Sequence, residues 1–388
     1  MTNKDLLKLS QLTKTALAPF KVYIKRPANG RLTYDYLVPS GPYQEQWDWD
    51  AFFMGVALSS EISSEAIYLR NWALNYIINA KPSGKVAGCL TAKGFDERLN
   101  HMKPFLAQGT YLAGKFLKDY SWLKKHWTKL KKVVLYREKH LWNKKYDLGV
   151  WYDSMESGAD NNIAALDYPP KTVLATDLNT FIYREYKAMS LLAQIVGKKK
   201  DRDYFQKRTE TIKRNFNKFF WDEENKIYYN IDVRTGKHIK RVSYNSLIPL
   251  WGKLVLDTNG KSFIKRYVLS PKHLWSGYGI RTLSKSDPDY NNKNIIKPYS
   301  NWQGPVWPIA NYMYMHGLLN YGFQKEAITL AQKISNLILN DIKTSGGMHE
   351  NYDAETGKPL AAPNFVSWNI LVGNMWEEAV NNNNPFAI

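Results

Sequence analysis

The chain has 388 residues, 44% of them hydrophobic and 23% charged, with 14 Trp, 26 Tyr and a formal net charge of +19 at pH 7. Those proportions are ordinary globular usage and exclude a disordered chain, a collagen-like repeat and a pure coiled coil. The positive excess would suit nucleic acid or an anionic surface, but much of it falls on amphipathic segments such as 122–141, WLKKHWTKLKKVVLYREKHL, with no zinc-finger spacing, Gly-rich RNA-binding signature or basic arm. No nucleic-acid partner is therefore expected.

Along the chain, the opening MTNKDLLKLSQLTK has no apolar stretch of the signal-peptide kind. Nor is there a run of about eighteen apolar residues, so no membrane span is expected and a soluble cytoplasmic protein is the default. Helical periodicity predicts segments at 4–18, 50–61, 63–79, 105–119, 122–141, 176–196, 202–220, 245–256, 260–268, 303–320, 323–339 and 366–380. In 176–196 the apolar residues recur at three- and four-residue spacing and the pattern stops before Gly197, a helix terminator. Strand signals are few. Residues 20–25, FKVYIK, and 34–38, YDYLV, would pair across Asn29-Gly30, and 226–231, KIYYNI, reads as a short strand. The single cysteine, Cys89, can form no internal disulfide and reads as a small buried residue. No linker and no fixed-period repeat interrupts the series, so one domain over 1–388 is expected, with 1–42 packed on it as a helix and short strands. Helices joined by short turns on one side and long loops on the other fit a six-hairpin toroid, though the pattern alone also fits another large helical bundle.

The chemistry concentrates in loops that mix Trp and Tyr with Asp, Glu, Asn and Gly: 43–53, 151–162, 275–281, 299–308 and 346–353. A sugar ring offers an apolar face to stack on and hydroxyls to hydrogen-bond, which is the pairing these loops provide. Five such clusters make chance grouping of surface aromatics the weaker reading. In 156–160, ESGAD, the glycine lets the loop fold tightly and aim Asp160 inward. In 349–352, HENY, Glu350 follows Gly346-Gly347. Two carboxyls facing one cavity could cleave a glycosidic bond, one protonated to serve the leaving oxygen and one ionised to activate water. Either alone would more often be an N-cap or a solvated acid.

Four motifs carry a family resemblance over roughly Tyr43 to Trp376. QWDWDAFF at 46–53, ESGADNN at 156–162, NWQGPVWP at 301–308, and HENYDAETGKP at 349–359 followed by NFVSW at 364–368 occur in one order. They resemble the clan of inverting (α/α)6 glycosidases that holds trehalase and glycoside hydrolase family 63, most of all its small bacterial mannosylglycerate and glucosylglycerate hydrolases. The resemblance implies an all-α (α/α)6 barrel with a few short β-hairpins in its loops. It implies Asp160 as general acid and Glu350 as general base. Asp50 and Trp49 would contact the sugar, with Trp302 and Gln303 lining the same subsite. Gln46, Trp47, Phe53, Gln108, Tyr278, Trp307, Tyr352 and Trp368 complete the expected substrate-binding set. Two positions depart from the family: Asn161 stands where a second Asp is common, and Gln303 where Arg is common, which removes a charge from that place.

The resemblance implies an inverting mechanism on an α-linked glucoside or mannoside of a short substrate, with carboxyls about 6.5–9.5 Å apart to leave room for a water. Glu156 reads as a supporting residue near Asp160, Asp48 as a loop holder, and Glu355 as solvated. Lys171, Arg281 and Lys358 are rim cations that could meet an anionic aglycone such as glycerate. No metal-ligand spacing is evident, His349 reads as structural, and neither metal nor cofactor is expected. The oligomeric state is left open. Rival readings are a phosphorolytic enzyme on the same toroid, a sugar-binding protein on an inactive scaffold, a histidine-dependent epimerase and a terpene cyclase. The last two lack their histidine pair and their acidic metal cluster, and retention of both Asp160 and Glu350 argues against a pure binder.

Overall fold

The computed structural model describes residues 3–297 and 300–388; Tyr299, in the 299–308 cluster, lies outside the described residues. Its helices in chain order are α1 Asn3–Leu17, α2 Asp48–Glu61, α3 Ala66–Asn79, α4 Leu106–Leu117, α5 Trp127–His140, α6 Ser154–Ser157, α7 Thr176–Ile195, α8 Lys199–Phe219, α9 Tyr244–Trp251, α10 Asp257–Phe263, α11 Pro308–Asn320, α12 Gln324–Ser345 and α13 Val372–Asn381.

Burial sorts them into two rings. α2 buries Asp48 through Ser59 without a break, and α11 buries every residue from Pro308 to Leu319. A helix buried all round must be surrounded by others. α8 does the opposite: of its 21 residues only Phe205, Ile212 and Phe216 are buried, a single stripe on an otherwise basic and acidic rod. Much of the positive charge sits on such outer faces, in solvent. The inner ring runs α2, α4, α7, α9, α11, α13, each packed on the next, and it closes where the 3-10 turn Ser367–Leu371 before α13 meets α2. The outer ring runs α3, α5, α8, α10, α12 and, from the start of the chain, α1 against α12 and α13. This is the six-hairpin (α/α)6 toroid.

Aromatic side chains fill its axis. Phe52 stacks on Phe105 at 4.8 Å, Phe105 meets Phe181 at 4.7 Å, and Phe53 meets Phe386 at 5.1 Å. The Arg184 guanidinium lies 4.0 Å from the Trp251 ring, and Phe386 itself is wholly buried. Much of the aromatic richness is therefore core packing.

Several expected boundaries move. Pro305 and Pro308 delay the helix expected at 303 until 308. The stretch 122–141 divides into a 3-10 turn, Ser121–His126, and α5. Most of 20–25 is a 3-10 helix, and only Lys25–Arg26 pairs, antiparallel, with Tyr36–Leu37. Within 226–231 there are two strands, and the second, Asn230–Asp232, sits between Lys237–Ile239 and Val173–Leu174. Among the described residues, no helix is long and apolar enough to cross a membrane.

Candidate active site

Chain turns from inner to outer helices are short, such as 196–198 and 321–323, whereas turns from outer to inner helices are long, such as 80–105 and 269–307. All long loops therefore gather at the N-terminal end of the inner ring. There they enclose a cleft of about 510 Å³. Its walls are 39–50 before and at the start of α2, 88–103 before α4, 153–160 around α6, 296–297 and 300–307 before α11 and 350–368 before α13. Inner-helix N-termini, with their partial positive charge, thus face the cleft and favour anionic groups there.

Asp160 and Glu350 both line it, from loops far apart in sequence. α6 ends at Gly158 in the left-handed region, with φ +78°, and the chain reverses into Asp160. A Cβ at Gly158 would stand 2.8 Å from both Lys103 Cε and Trp49 Cζ2, so the turn requires glycine for space as well as for φ. Ser300 donates to Asp160 Oδ2 through its backbone N–H at 3.1 Å and its hydroxyl at 2.8 Å. Burial raises the Asp160 carboxyl above its ordinary range against those two bonds. Burial also pushes Glu350 well up, and the charges of Asp160 and Asp50 add to it. Asp50, which accepts the Ser367 hydroxyl at 2.7 Å, is pushed by burial to about 7. Three carboxyls in one low-dielectric cleft do not all ionise together, and they share protons as a set.

The aromatic wall is continuous. Trp49 lies 5.5 Å edge-on from Trp368, Trp368 meets Phe365 at 4.6 Å, and Tyr43 meets Phe365 at 5.9 Å. Trp47 and Trp307 complete it. The indole N–H groups of Trp47 and Trp368 have no protein acceptor among the described residues.

Of the expected substrate-binding residues, Trp47, Trp49, Asp50, Trp307 and Trp368 line the cleft, and seven do not. Phe53 belongs to the aromatic axis, because it lies one turn further along α2 than Asp50. Gln108, on α4, donates to the Pro104 and Phe181 carbonyls and accepts from Arg184. Gln46 is wholly buried in a strand paired with Leu90. Trp302 stands one layer behind the wall, stacked 4.1 Å on Trp307. Tyr278 covers Gly357 away from the cleft, and the Tyr352 hydroxyl is committed to Asp341 at 2.8 Å. Gln303 donates to the backbone oxygen of Asn161 at 2.9 Å, while the Asn161 side chain accepts the Trp302 N–H. The two departures from the family pattern thus touch each other, and tie the Asp160 loop to 300–303.

Other expectations change as well. Glu355 is exposed, as expected, but paired: Arg281 and Lys285 each reach it at 2.7 Å and Tyr290 donates to it, which holds it down at about 2. Arg281 is therefore buried and occupied, and the cations lining the cleft are Arg98, Lys103 and Lys297 in place of Lys171, Arg281 and Lys358. Sequence reasoning passed over Lys103, which follows no motif. Its backbone N–H and ammonium both reach Asp48, at 2.7 and 3.2 Å, and its Nζ lies 4.9 Å from the Trp49 ring centroid. Asp48 does hold the loop, and Glu156 supports from behind through a buried ion pair with Arg137 at 2.7 Å. Cys89 is buried in a strand next to this loop system, its thiol pushed up by burial.

Residues 43–368 match the domain family described as mannosylglycerate hydrolase MGH1-like glycoside hydrolase. Among relatives, a probable mannosyl-oligosaccharide glucosidase of Schizosaccharomyces pombe is 26% identical over 239 residues, 58% of this chain and 29% of that protein. A mannosylglycerate hydrolase of Rubrobacter radiotolerans is 25% identical over 190 residues, 49% of this chain and 40% of its own length. The chain thus spans less than half the length of these curated relatives. In fold it is similar to the crystal structure of a family 63 mannosylglycerate hydrolase from Thermus thermophilus with Tris and D-glycerate, at a TM-score of 0.74 and 16% identity, covering 94% of this chain and all of the other. It also resembles a neutral trehalase of Saccharomyces cerevisiae, at a TM-score of 0.67 and 14% identity over 91% of this chain and 76% of that one. The family match spans most of the chain and contains both long-loop carboxyls and the whole indole wall, and the chain belongs to the mannosylglycerate hydrolase MGH1-like glycoside hydrolase family.

Proposed function

We propose that the chain is an inverting glycosidase that hydrolyses an α-linked glucoside or mannoside of a short substrate, in the cytoplasm. The observation that carries this reading is the placement of Asp160 and Glu350 in one cleft walled by Trp47, Trp49, Trp307 and Trp368. Asp160, whose carboxyl burial raises above its ordinary range, gives its proton to the glycosidic oxygen as the C1–O bond breaks. Glu350 takes a proton from the water that attacks C1 from the other face, so the anomer released is inverted. That route needs Glu350 ionised while Asp160 keeps its proton, and burial, with the charges of Asp160 and Asp50, works against the ionisation of Glu350.

Of the cleft cations, Arg98 pairs with Asp96 at 2.7 Å and Lys103 with Asp48 at 3.2 Å, so the preference for an anionic aglycone is assigned to Lys297. The Rubrobacter relative's name, mannosylglycerate hydrolase, agrees with that preference. The test is a panel of mannosylglycerate, glucosylglycerate, trehalose, kojibiose, nigerose and a nitrophenyl glucoside, followed by NMR of the anomer first released. Asp160→Asn and Glu350→Gln should each keep the fold and lose at least about 10²-fold in turnover. Wild-type rates in either variant, or a product retaining the anomeric configuration, would sink the assignment. Turnover that requires added phosphate would move the chain to the phosphorolytic reading.

A further inference from the structure

Glu350 accepts no hydrogen bond from any described side chain; its carboxyl is placed by the backbone that carries it. That backbone is tied on three sides. The Glu350 N–H donates to Ala361 O at 2.9 Å, Tyr352 exchanges two backbone bonds with Val306, and Asn369 donates to the His349 carbonyl at 2.9 Å. The fourth tie is made by side chains. Asp341, on the last turns of α12 and 1% exposed, accepts the His349 backbone N–H at 2.9 Å, the His349 ring at Nδ1 at 2.9 Å and the Tyr352 hydroxyl at 2.8 Å. Ser345 adds its hydroxyl at 2.7 Å. Burial works to raise the Asp341 carboxyl, and the bonds from His349, Ser345 and Tyr352 overcome it and hold it low.

We propose that Asp341 is a positioning residue that fixes Glu350 by gripping the residues on either side of it, His349 and Tyr352. The inference rests on the reading of Glu350 as the water-activating base. The geometry suits the task. Asp341 is rooted in a 22-residue helix of the outer ring, so the loop is referred to rigid scaffold and not to other loops. Three of its four donors belong to the Glu350 segment, and the fourth, Ser345, is one turn along its own helix. The end of α12 presents carbonyl acceptors, which a carboxylate cannot cap, so the bonds from the His349 ring and the Tyr352 hydroxyl serve the loop and not the helix end. The same arrangement explains why Tyr352, expected in the sugar site, turns away from the cleft.

The experiment compares Asp341→Asn, Asp341→Ala, Tyr352→Phe and Glu350→Gln on mannosylglycerate and on a nitrophenyl glucoside, whose leaving group needs little help from an acid. Displacing a reacting group by about 1 Å can cost about 10²-fold. Asp341→Asn should lower kcat by ten- to a hundredfold with KM changed less than twofold, and by the same factor on both substrates, since the defect is on the water side. Tyr352→Phe, which removes one donor and keeps the ring, should show a smaller loss of the same kind. Asp341→Ala should exceed both. Melting curves of the Asn and Phe variants, expected within a few degrees of the parent, keep the test valid if the Ala variant does not fold. An unchanged kcat in Asp341→Asn overturns the proposal, as does a loss in which KM rises in step with a collapse in melting temperature. If Glu350→Gln itself retains turnover, the reading of the site fails and takes this inference with it; if Glu350→Gln is dead and Asp341→Asn is not, only the inference fails.

Discussion

Replacing Asp50 by Asn separates what the cleft needs for catalysis from what folding would prefer. Burial lifts the Asp50 carboxyl from 3.8 to about 7, even though Ser367 and Lys103 pull it down. The native pKa is therefore above the unfolded one. The unfolded chain releases this proton first as pH rises, so the contribution of Asp50 to native stability is most favourable below about 4 and declines until pH passes about 7, where the deficit levels off. About three pH units at 1.36 kcal/mol each give about 4 kcal/mol. Asparagine cannot ionise and can still accept the Ser367 hydroxyl, so Asp50→Asn escapes this cost. In denaturant titrations the variant should match the parent near pH 4 and exceed it by a few kcal/mol at pH 8. The same variant should be a poorer enzyme, with the acidic limb of its kcat/KM profile moved to lower pH, because the Asp50 charge is one of the influences holding Glu350 up. A variant less stable than the parent at pH 8, with a gap that does not change with pH, would refute the reasoning.

Two further substitutions test the loop that carries Asp160. Gly158→Ala forces a side chain into φ +78° and against Lys103 and Trp49, and should cost about 1–3 kcal/mol in stability and a larger share of activity, read from melting curves and kcat/KM together. Arg137→Met leaves Glu156 buried without its partner and should cost about 3–5 kcal/mol, while adding Glu156→Gln should return part of it; a double variant no more stable than the single one would show that the ion pair is not what supports α6.

The sequence alone determined the helical class and the order of the motifs, because periodicity and loop composition are local properties. The helix 176–196 and the run 323–339 were legible for that reason. It also pointed to Asp160 and Glu350 through loops that mix glycine, aromatics and carboxylates, and the family resemblance of those loops added Trp49 and Asp50. What it left undecided was direction. Trp49, Asp50 and Phe53 lie within five residues on one helix, yet Phe53 faces the barrel axis while Trp49 and Asp50 face the cleft. Gln303 and Tyr352 sit inside true motifs and commit their polar groups to Asn161 and Asp341. Lys103 and Arg98 belong to no motif and reach the cleft only because every outer-to-inner loop ends at the same side of the ring. Which side chain meets which across long stretches of chain depends on how the two rings of helices close into a circle, and closure is a property of the packed ring that no local window of sequence contains.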